Sequence, residues 1–263
     1  GYKPIANVEM DEAACFTLKT RAAYHYLKSK NGDDNYIKYL KGEINRSSLY
    51  SLVPKEELDS VINLALSDDN NKEIFKRIDQ LLNGNKVDLI IGGPPCQAYS
   101  LVGRARSEAG MKSDSRNHLY LQYAKYLKKY NPKMFVFENV MGLRSADRGG
   151  YFEKMVNEFN KLGYEVKDFL LNAKDFGVLQ NRKRIIFIGH KKELNLSIKD
   201  FTPKYGKQYL VQSVFEDLPK LKTGDGKDKG GKYATIDFNE YLKSMHIRNG
   251  IDVLTQHVSR PHT

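Results

Sequence analysis

Residues 87–91 read Val-Asp-Leu-Ile-Ile and stop at Gly92-Gly93. A run this apolar and this short, closed by two glycines, is the pattern of a strand buried on both faces of a parallel sheet rather than of a half-exposed strand. A second run, Met134-Phe135-Val136-Phe137, follows the helix breaker Pro132 and ends at Glu138-Asn139. Helical spacing over 117–130 and 152–162 and strand patterning over 164–171 and 184–189 continue the alternation. Repeated strand and helix predict an α/β fold built on a doubly wound, mostly parallel sheet. Upstream, 5–9 reads as a short strand, and Asp11 is placed to cap a helix running to residue 28. After a polar turn at 30–35 comes a weak strand ending near Gly42-Glu43-Ile44, then helical patterning over 54–66 and 72–82. Beyond His190 the pattern decays, and 223–232, rich in Gly, Lys and Asp, reads as a flexible surface loop.

The length of 263 residues fits one large domain, or one domain and part of a second. A catalytic, cofactor-binding domain is expected over 1–200, with 201–263 leading out of it. Hydrophobic residues at 40% and aromatics at 11% argue against a disordered chain. The apolar runs fall short of the ~18 residues that span a bilayer as a helix, which argues against a membrane partner. Lys and Arg exceed Asp and Glu by 43 to 32, a net +11 that favours a polyanionic partner, nucleic acid first. Cys15 and Cys96 lack close-spaced Cys or His, and His257 and His262 lack nearby acids, so neither a disulfide framework nor a metal site is expected. With no leader pattern, a cytoplasmic location is expected. The start at Gly1 without Met raises the expectation of an upstream segment.

Residues able to do chemistry gather at the carboxyl ends of predicted strands, the edge where open parallel sheets bind ligands. Glu9, Glu43, Pro94-Pro95-Cys96-Gln97 and Glu138-Asn139 all meet this condition. One such acid is a common accident; several with a Pro-flanked thiol point to a shared crevice. Two prolines stiffen the approach to Cys96 and a basic stretch follows, which suits a nucleophile, although from the thiol alone a buried loop cysteine is the favoured reading. Cys15, on the first predicted helix, reads as a small core residue. Glu138 is placed to share a proton with a ring nitrogen, or else to cap the next segment. In Gln180-Asn181-Arg182-Lys183-Arg184, alternation entering a strand aligns Gln180, Arg182 and Arg184 and turns Lys183 away. Arginine forks suit phosphate or a base carbonyl oxygen, and a solvated charge run is the plain alternative. The long stretch 94–116 reads as a functional loop.

Four ordered blocks carry a resemblance. Gly92-Gly93-Pro94-Pro95-Cys96-Gln97-Ala98-Tyr99-Ser100 comes first, then Asp114-Ser115-Arg116-Asn117 leading to Leu119-Tyr120. Phe137-Glu138-Asn139-Val140 and Gln180-Asn181-Arg182-Lys183-Arg184 follow. Their order and spacing resemble those of the cytosine-5 DNA methyltransferases. The resemblance implies a Rossmann-like fold binding S-adenosylmethionine, released as S-adenosylhomocysteine, with no metal, and methyl transfer to carbon 5 of a flipped cytosine in double-stranded DNA.

By the same resemblance Cys96 is the nucleophile on carbon 6, Glu138 the acid at ring nitrogen 3, and Arg184, with Arg182 behind it, the arginine near the cytosine carbonyl and thiolate. Glu9 matches the acid on the cofactor ribose and Met10 an apolar neighbour of adenine. Pro94 and Leu119 line the cofactor pocket, and Glu43 with Ile44 is the best match for the acid after the third strand. Gln97, Ser100, Arg104, Arg106, Asn139 and Gln180 fall on the DNA side, Asn139 also holding the loop that carries Cys96. The family's glycine-rich cofactor loop and its target recognition domain have no counterpart here, so other segments or a second chain are expected to supply them. The setting implied is a restriction-modification system acting on DNA in the prokaryotic nucleoid. A transfer-RNA cytosine-5 methyltransferase and a catalytically silent DNA-binding subunit are the competing readings.

Overall fold

A computed structural model describes residues 2–93, 119–203, 209–235, 237–248 and 250–260. The chain divides into two compact units, one of residues 1–65 with 208–263 and one of residues 66–207.

In the first unit, β1 (Asn7–Glu9) runs parallel to β2 (Val61–Asn63), pairing Asn7 with Val61 and Glu9 with Asn63. Between them lie α1 (Glu12–Ser29), α2 (Asp33–Lys41), α3 (Arg46–Tyr50) and α4 (Lys55–Asp59). As expected, α1 starts at Asp11, whose side chain accepts the Ala14 N–H at 2.7 Å and satisfies a donor that the first turn leaves unpaired. Ala23 and Leu27 of α1 pack with Leu49 and Val53, and Tyr36, Tyr39 and Ile44 close over them.

Two expectations for this unit are corrected. The weak strand placed before Glu43 is helix α2: Tyr36, Tyr39 and Leu40 recur at helical spacing, and Gly42, at φ 80°, ends the helix in a left-handed turn. The helix expected over 54–66 stops at Asp59, because Val61 and Ile62 are a β-branched pair that β1 draws into a sheet, where both are buried.

The Gly-rich segment 223–232 is not a free loop either. β7 (Gly226–Lys227) pairs antiparallel with β8 (His257–Val258), Gly231 bridges Leu254, and the Gly230 N–H donates to the Leu40 carbonyl at 2.9 Å. Glycine serves close approach here: a Cβ on Gly226, at φ +110°, would lie 2.1 Å from the His257 carbonyl oxygen. Nearby, before and after α8 (Glu240–Ser244), a buried guanidinium organises the chain. Arg248 meets Asp217 at 2.5 Å and Asp252 at 2.7 Å and stacks 3.5 Å from the Tyr233 ring centre. Charges this buried persist only when paired.

The second unit begins with α5 (Asp68–Leu82), capped by Ser67, and continues through β3 (Leu89–Gly92), α6 (described over Leu119–Tyr130), β4 (Met134–Asn139), α7 (Gly150–Lys161), β5 (Tyr164–Asn172) and β6 (Lys183–Lys191). Strand order is β3-β4-β6-β5. Only β3 and β4 pair in parallel; β6 is antiparallel to both β4 and β5, so this sheet is mixed, not mostly parallel as expected. The reason is the connection at 173–182. It is shorter than the dozen or so residues of a parallel crossover and holds only a 3-10 turn (Ala173–Phe176), so β6 folds back as a hairpin. Because β6 is reversed, its first residues join the carboxyl ends of β3, β4 and β5 at one edge.

One face of this sheet packs against α6 and α7. Phe135, Phe137, Phe159, Phe187, Tyr123 and Tyr164 form its centre, with edge-to-face contacts such as Tyr123–Phe137 at 5.1 Å and Phe135–Tyr164 at 5.2 Å between ring centres. Buried tyrosine hydroxyls are satisfied: Tyr164 donates to the Pro132 carbonyl at 2.8 Å and Tyr126 to Asn71 at 2.9 Å, tying α6 to α5. Gly189 lies opposite Phe135, and a Cβ there would fall 2.0 Å from the ring, which Phe159 and Tyr164 hold in place. Gly189→Ala is expected to cost about 1–3 kcal/mol through overpacking. Denaturant unfolding checks this; an unchanged midpoint would show that the ring has room to move.

Candidate active site

The edge formed by β3, β4 and β6 brings Gly93, Glu138, Asn139 and Arg184 together. Glu138 and Asn139 are successive residues at the end of β4, so they point to opposite faces. Arg184, second in β6, reaches Glu138 across the strand pair: its Nε lies 2.7 Å from Glu138 Oε1, and its Nη1 donates to the Lys183 carbonyl at 2.9 Å. The fork is thus oriented by one anchor on its own strand and one on the neighbour. Glu138 retains 42% side-chain exposure and Arg184 24%, so the carboxyl is more open than the apolar strand before it predicts. Its other oxygen faces Gly93, where a Cβ would approach Oε2 to 3.0 Å and the Glu138 carbonyl oxygen to 3.2 Å. A glycine is therefore what lets the chain pass this close to the acid as it enters the Pro94-Pro95-Cys96 segment.

Gly92 is constrained from the other side. The Tyr123 ring fills the space where a Cβ would stand, at 2.7 Å, and the Tyr123 hydroxyl lies 3.1 Å from the carbonyls of both Ile90 and Val136, bridging β3 and β4. Burial pushes the Tyr123 phenol well above its usual range, so it stays a neutral donor to these carbonyls. Sequence reasoning gave Tyr123 no part; its place on the inward face of an amphipathic helix was the available signal.

Asn139 is 1% exposed. Its Oδ1 accepts the Val140 N–H at 2.8 Å, while its Nδ2 finds no acceptor among the described residues.

Of the arginine-rich block, only Arg184 reaches the acid. β6 begins at Lys183, so the expected alternation starts there; Lys183 does face away from Arg184, but Gln180 and Arg182 lie in the preceding turn and are exposed. Leu119 opens the described part of α6 and is half-buried. Pro94, Cys96, Gln97, Ser100, Arg104 and Arg106, with the rest of the predicted loop, lie outside the described residues.

In the first unit the carboxyl ends of β1 and β2 form their own small edge. Glu9 Oε1 accepts the Asp11 N–H at 2.9 Å, and the Met10 side chain is 66% exposed. Asn63, paired with Glu9 in the ladder, donates its Nδ2 to the carbonyls of Glu9 at 3.1 Å and Met10 at 3.0 Å, holding that turn. Glu43 does not end a strand: it is exposed, and its N–H closes the turn after α2 by donating to the Lys38 carbonyl, while Ile44 packs into the helical cluster. Asn63 was missed because β2 is only three residues long. Cys15 is 2% exposed, its thiol bonds the Glu9 carbonyl at 3.3 Å, and burial pushes it up, away from the reactive thiolate form. No group of three or more His, Cys, Asp or Glu side chains is placed to hold a metal ion among the described residues, and no described helix is long and apolar enough to cross a membrane.

The model of the C-5 cytosine-specific DNA methylase family matches residues 57–260. The chain belongs to this family. It is 33% identical over 294 aligned positions to a type II methyltransferase of Bacillus paralicheniformis, covering 99% of this chain and 66% of the relative. A type II methyltransferase of Haemophilus parahaemolyticus is 36% identical over 189 positions, which span 71% of this chain and 48% of that protein. The chain thus spans about half to two thirds of the length of these relatives. Among solved structures, a prophage-encoded E. coli protein described as a DNA modification methyltransferase matches 77% of this chain and 59% of its own, with a TM-score of 0.56 and 23% identity. That likeness concerns the fold alone.

Proposed function

We propose that this chain carries the catalytic part of a DNA (cytosine-5)-methyltransferase of the restriction-modification type, using S-adenosylmethionine. The observation that carries the reading is the Glu138–Arg184 pair beside Gly93, at the point where the chain turns into Pro94-Pro95-Cys96. An acid, a fixed guanidinium and a Pro-flanked thiol meet the needs of a reaction in which a pyrimidine ring must be gripped on its edge while a nucleophile attacks carbon 6.

The residues on the first unit's edge fit the cofactor's chemistry. Glu9 has a carboxylate oxygen beyond the one that binds the Asp11 N–H, suited to ribose hydroxyls, and Met10 offers an exposed, polarizable apolar side chain for a purine. Pro94 and Leu119 complete the proposed cofactor contacts, and Asn63 takes the strand-end place expected of Glu43. S-adenosylmethionine, when bound, supplies an electrophilic methyl group.

The reacting cytosine must leave the duplex, since stacking hides both faces of its ring. The Cys96 thiolate adds to carbon 6, and Glu138 holds ring nitrogen 3 as electron density moves through the ring to carbon 5. Arg184 keeps Glu138 in position and offers its fork to the carbonyl oxygen, with Arg182 behind it. Asn139 Nδ2 holds the loop of Cys96. After carbon 5 has been methylated, a base removes its proton and the carbon 6 to sulfur bond breaks, which frees the thiol. Gln97, Ser100, Arg104, Arg106 and Gln180 face the DNA, and 201–263 leads toward the region that reads the target sequence.

Supplying the full-length protein with labelled cofactor, and with duplex DNA or transfer RNA in parallel, tests the reading. Labelled 5-methylcytosine is expected in DNA. Label confined to transfer RNA would move the protein to the other branch, and label in neither would leave a silent DNA-binding subunit.

A further inference from the structure

The relative placement of the two strand ends at the candidate active site rests on few contacts. β3 stands at the edge of its sheet and pairs there with β4 alone, through four residue pairs from Leu89–Met134 to Gly92–Phe137. That last pair is the rung beneath the site, because the next residues along the two strands are Gly93 and Glu138. A parallel ladder is the weaker kind per residue, and a short one at a sheet edge frays from its end.

Tyr123 fills the space beneath that rung. It is 5% exposed, its ring stands 2.7 Å from where a Cβ on Gly92 would lie, and its centre is 5.1 Å from that of Phe137. One side chain thus touches both members of the pair. Its hydroxyl lies 3.1 Å from the Ile90 carbonyl on β3 and 3.1 Å from the Val136 carbonyl on β4. A phenol has one hydrogen to give, and two equidistant acceptors share it, which ties the strands to each other as well as to α6. Leu119, placed against the cofactor, stands four residues earlier on the same side of that helix. Phe135, Phe137 and Phe159 surround the ring, and a phenylalanine at 123 would fill the same volume among them. The hydroxyl is therefore the part that core packing does not explain.

We propose that Tyr123 is a positioning residue for methyl transfer: by filling the space beneath the Gly92–Phe137 pair and bridging the carbonyls of Ile90 and Val136, it fixes Gly93, where the chain turns toward Cys96, against Glu138. It rests on the reading of the chain as a cytosine-5 methyltransferase. Tyr123 touches no reacting atom. It acts through the two strand ends, so that its loss widens the range of separations between acid and thiol and makes the aligned arrangement rarer.

The test is made in the full-length protein with Tyr123→Phe, which keeps the ring and removes the hydroxyl; the variant is expected to fold, and thermal melting checks it. Single-turnover methylation of duplex DNA is expected to slow by about ten-fold, less than the roughly hundred-fold that a displacement of about 1 Å can cost. Formation of the adduct with 5-fluorocytosine DNA should slow by the same factor, since it reports the steps before the proton is lost, while the affinities for cofactor and duplex stay those of the parent. The Glu138→Gln background separates positioning from plain stability. A residue that aligns Glu138 has little left to align once the acid is gone, so Tyr123→Phe should slow Glu138→Gln far less than it slows the parent. Equal slowing in both backgrounds, or an unchanged rate in Tyr123→Phe alone, would overturn the inference and leave the methyltransferase reading standing. A parent protein that transfers no methyl group to DNA would overturn that reading, and this inference with it.

Discussion

The Cys96→Ser protein is expected to lose methyl transfer while keeping most of its affinity for DNA. Serine has nearly the size of cysteine, but its hydroxyl is a far weaker nucleophile near neutral pH, so addition to carbon 6 stops. The described chain ahead of Cys96 should be undisturbed, because its glycines remain. Gly92 and Gly93 are fitted against Tyr123 and Glu138, which the substitution does not touch. Transfer of label from the cofactor and duplex binding are to be measured side by side in the full-length protein. DNA carrying 5-fluorocytosine gives the complementary result: fluorine does not leave as the proton does, so the adduct persists and maps to Cys96. Near-normal turnover by Cys96→Ser, or an adduct on Cys15, would falsify the covalent mechanism.

Glu138→Gln is expected to lower kcat by roughly 100- to 10,000-fold, the range typical of losing a positioned acid. The amide keeps the shape and one acceptor for Arg184 but has no proton to share with ring nitrogen 3. Misfolding does not account for such a loss. With 42% and 24% of the two side chains exposed, the Glu138–Arg184 pair is partly solvated, and such pairs contribute about 0–1 kcal/mol. Cofactor affinity and melting temperature are therefore expected to stay close to those of the parent while the rate falls. Loss of cofactor binding with the saturated rate intact would move Glu138 into the cofactor site instead.

Features set by neighbouring residues were legible in the sequence. Asp11 caps α1 through an N–H three residues away, the run from Met134 to Asn139 is a strand because Phe135, Val136 and Phe137 at its centre favour one, and Gly92-Gly93 marks where β3 ends. The blocks around Cys96, Glu138 and Arg184 also stand in the chain as ordered words, so the family resemblance is carried by the sequence itself. Tertiary structure decided what depends on partners distant along the chain. Val61 and Ile62 become a strand only because β1 lies beside them, and Asn63 acquires its place beside Glu9 by that pairing. The glycines of 223–232 read as freedom, yet they are tied to Leu40, Leu254 and β8. Most consequential is the reversal of β6. Composition alone does not distinguish a parallel from an antiparallel strand, but the short hairpin from β5 turns β6 back, so that its first residues lie at the carboxyl edge. That reversal carries Arg184 to within 2.7 Å of Glu138. Propensity acts over a few residues, whereas register is settled by which strands pair, and the candidate active site depends on that pairing.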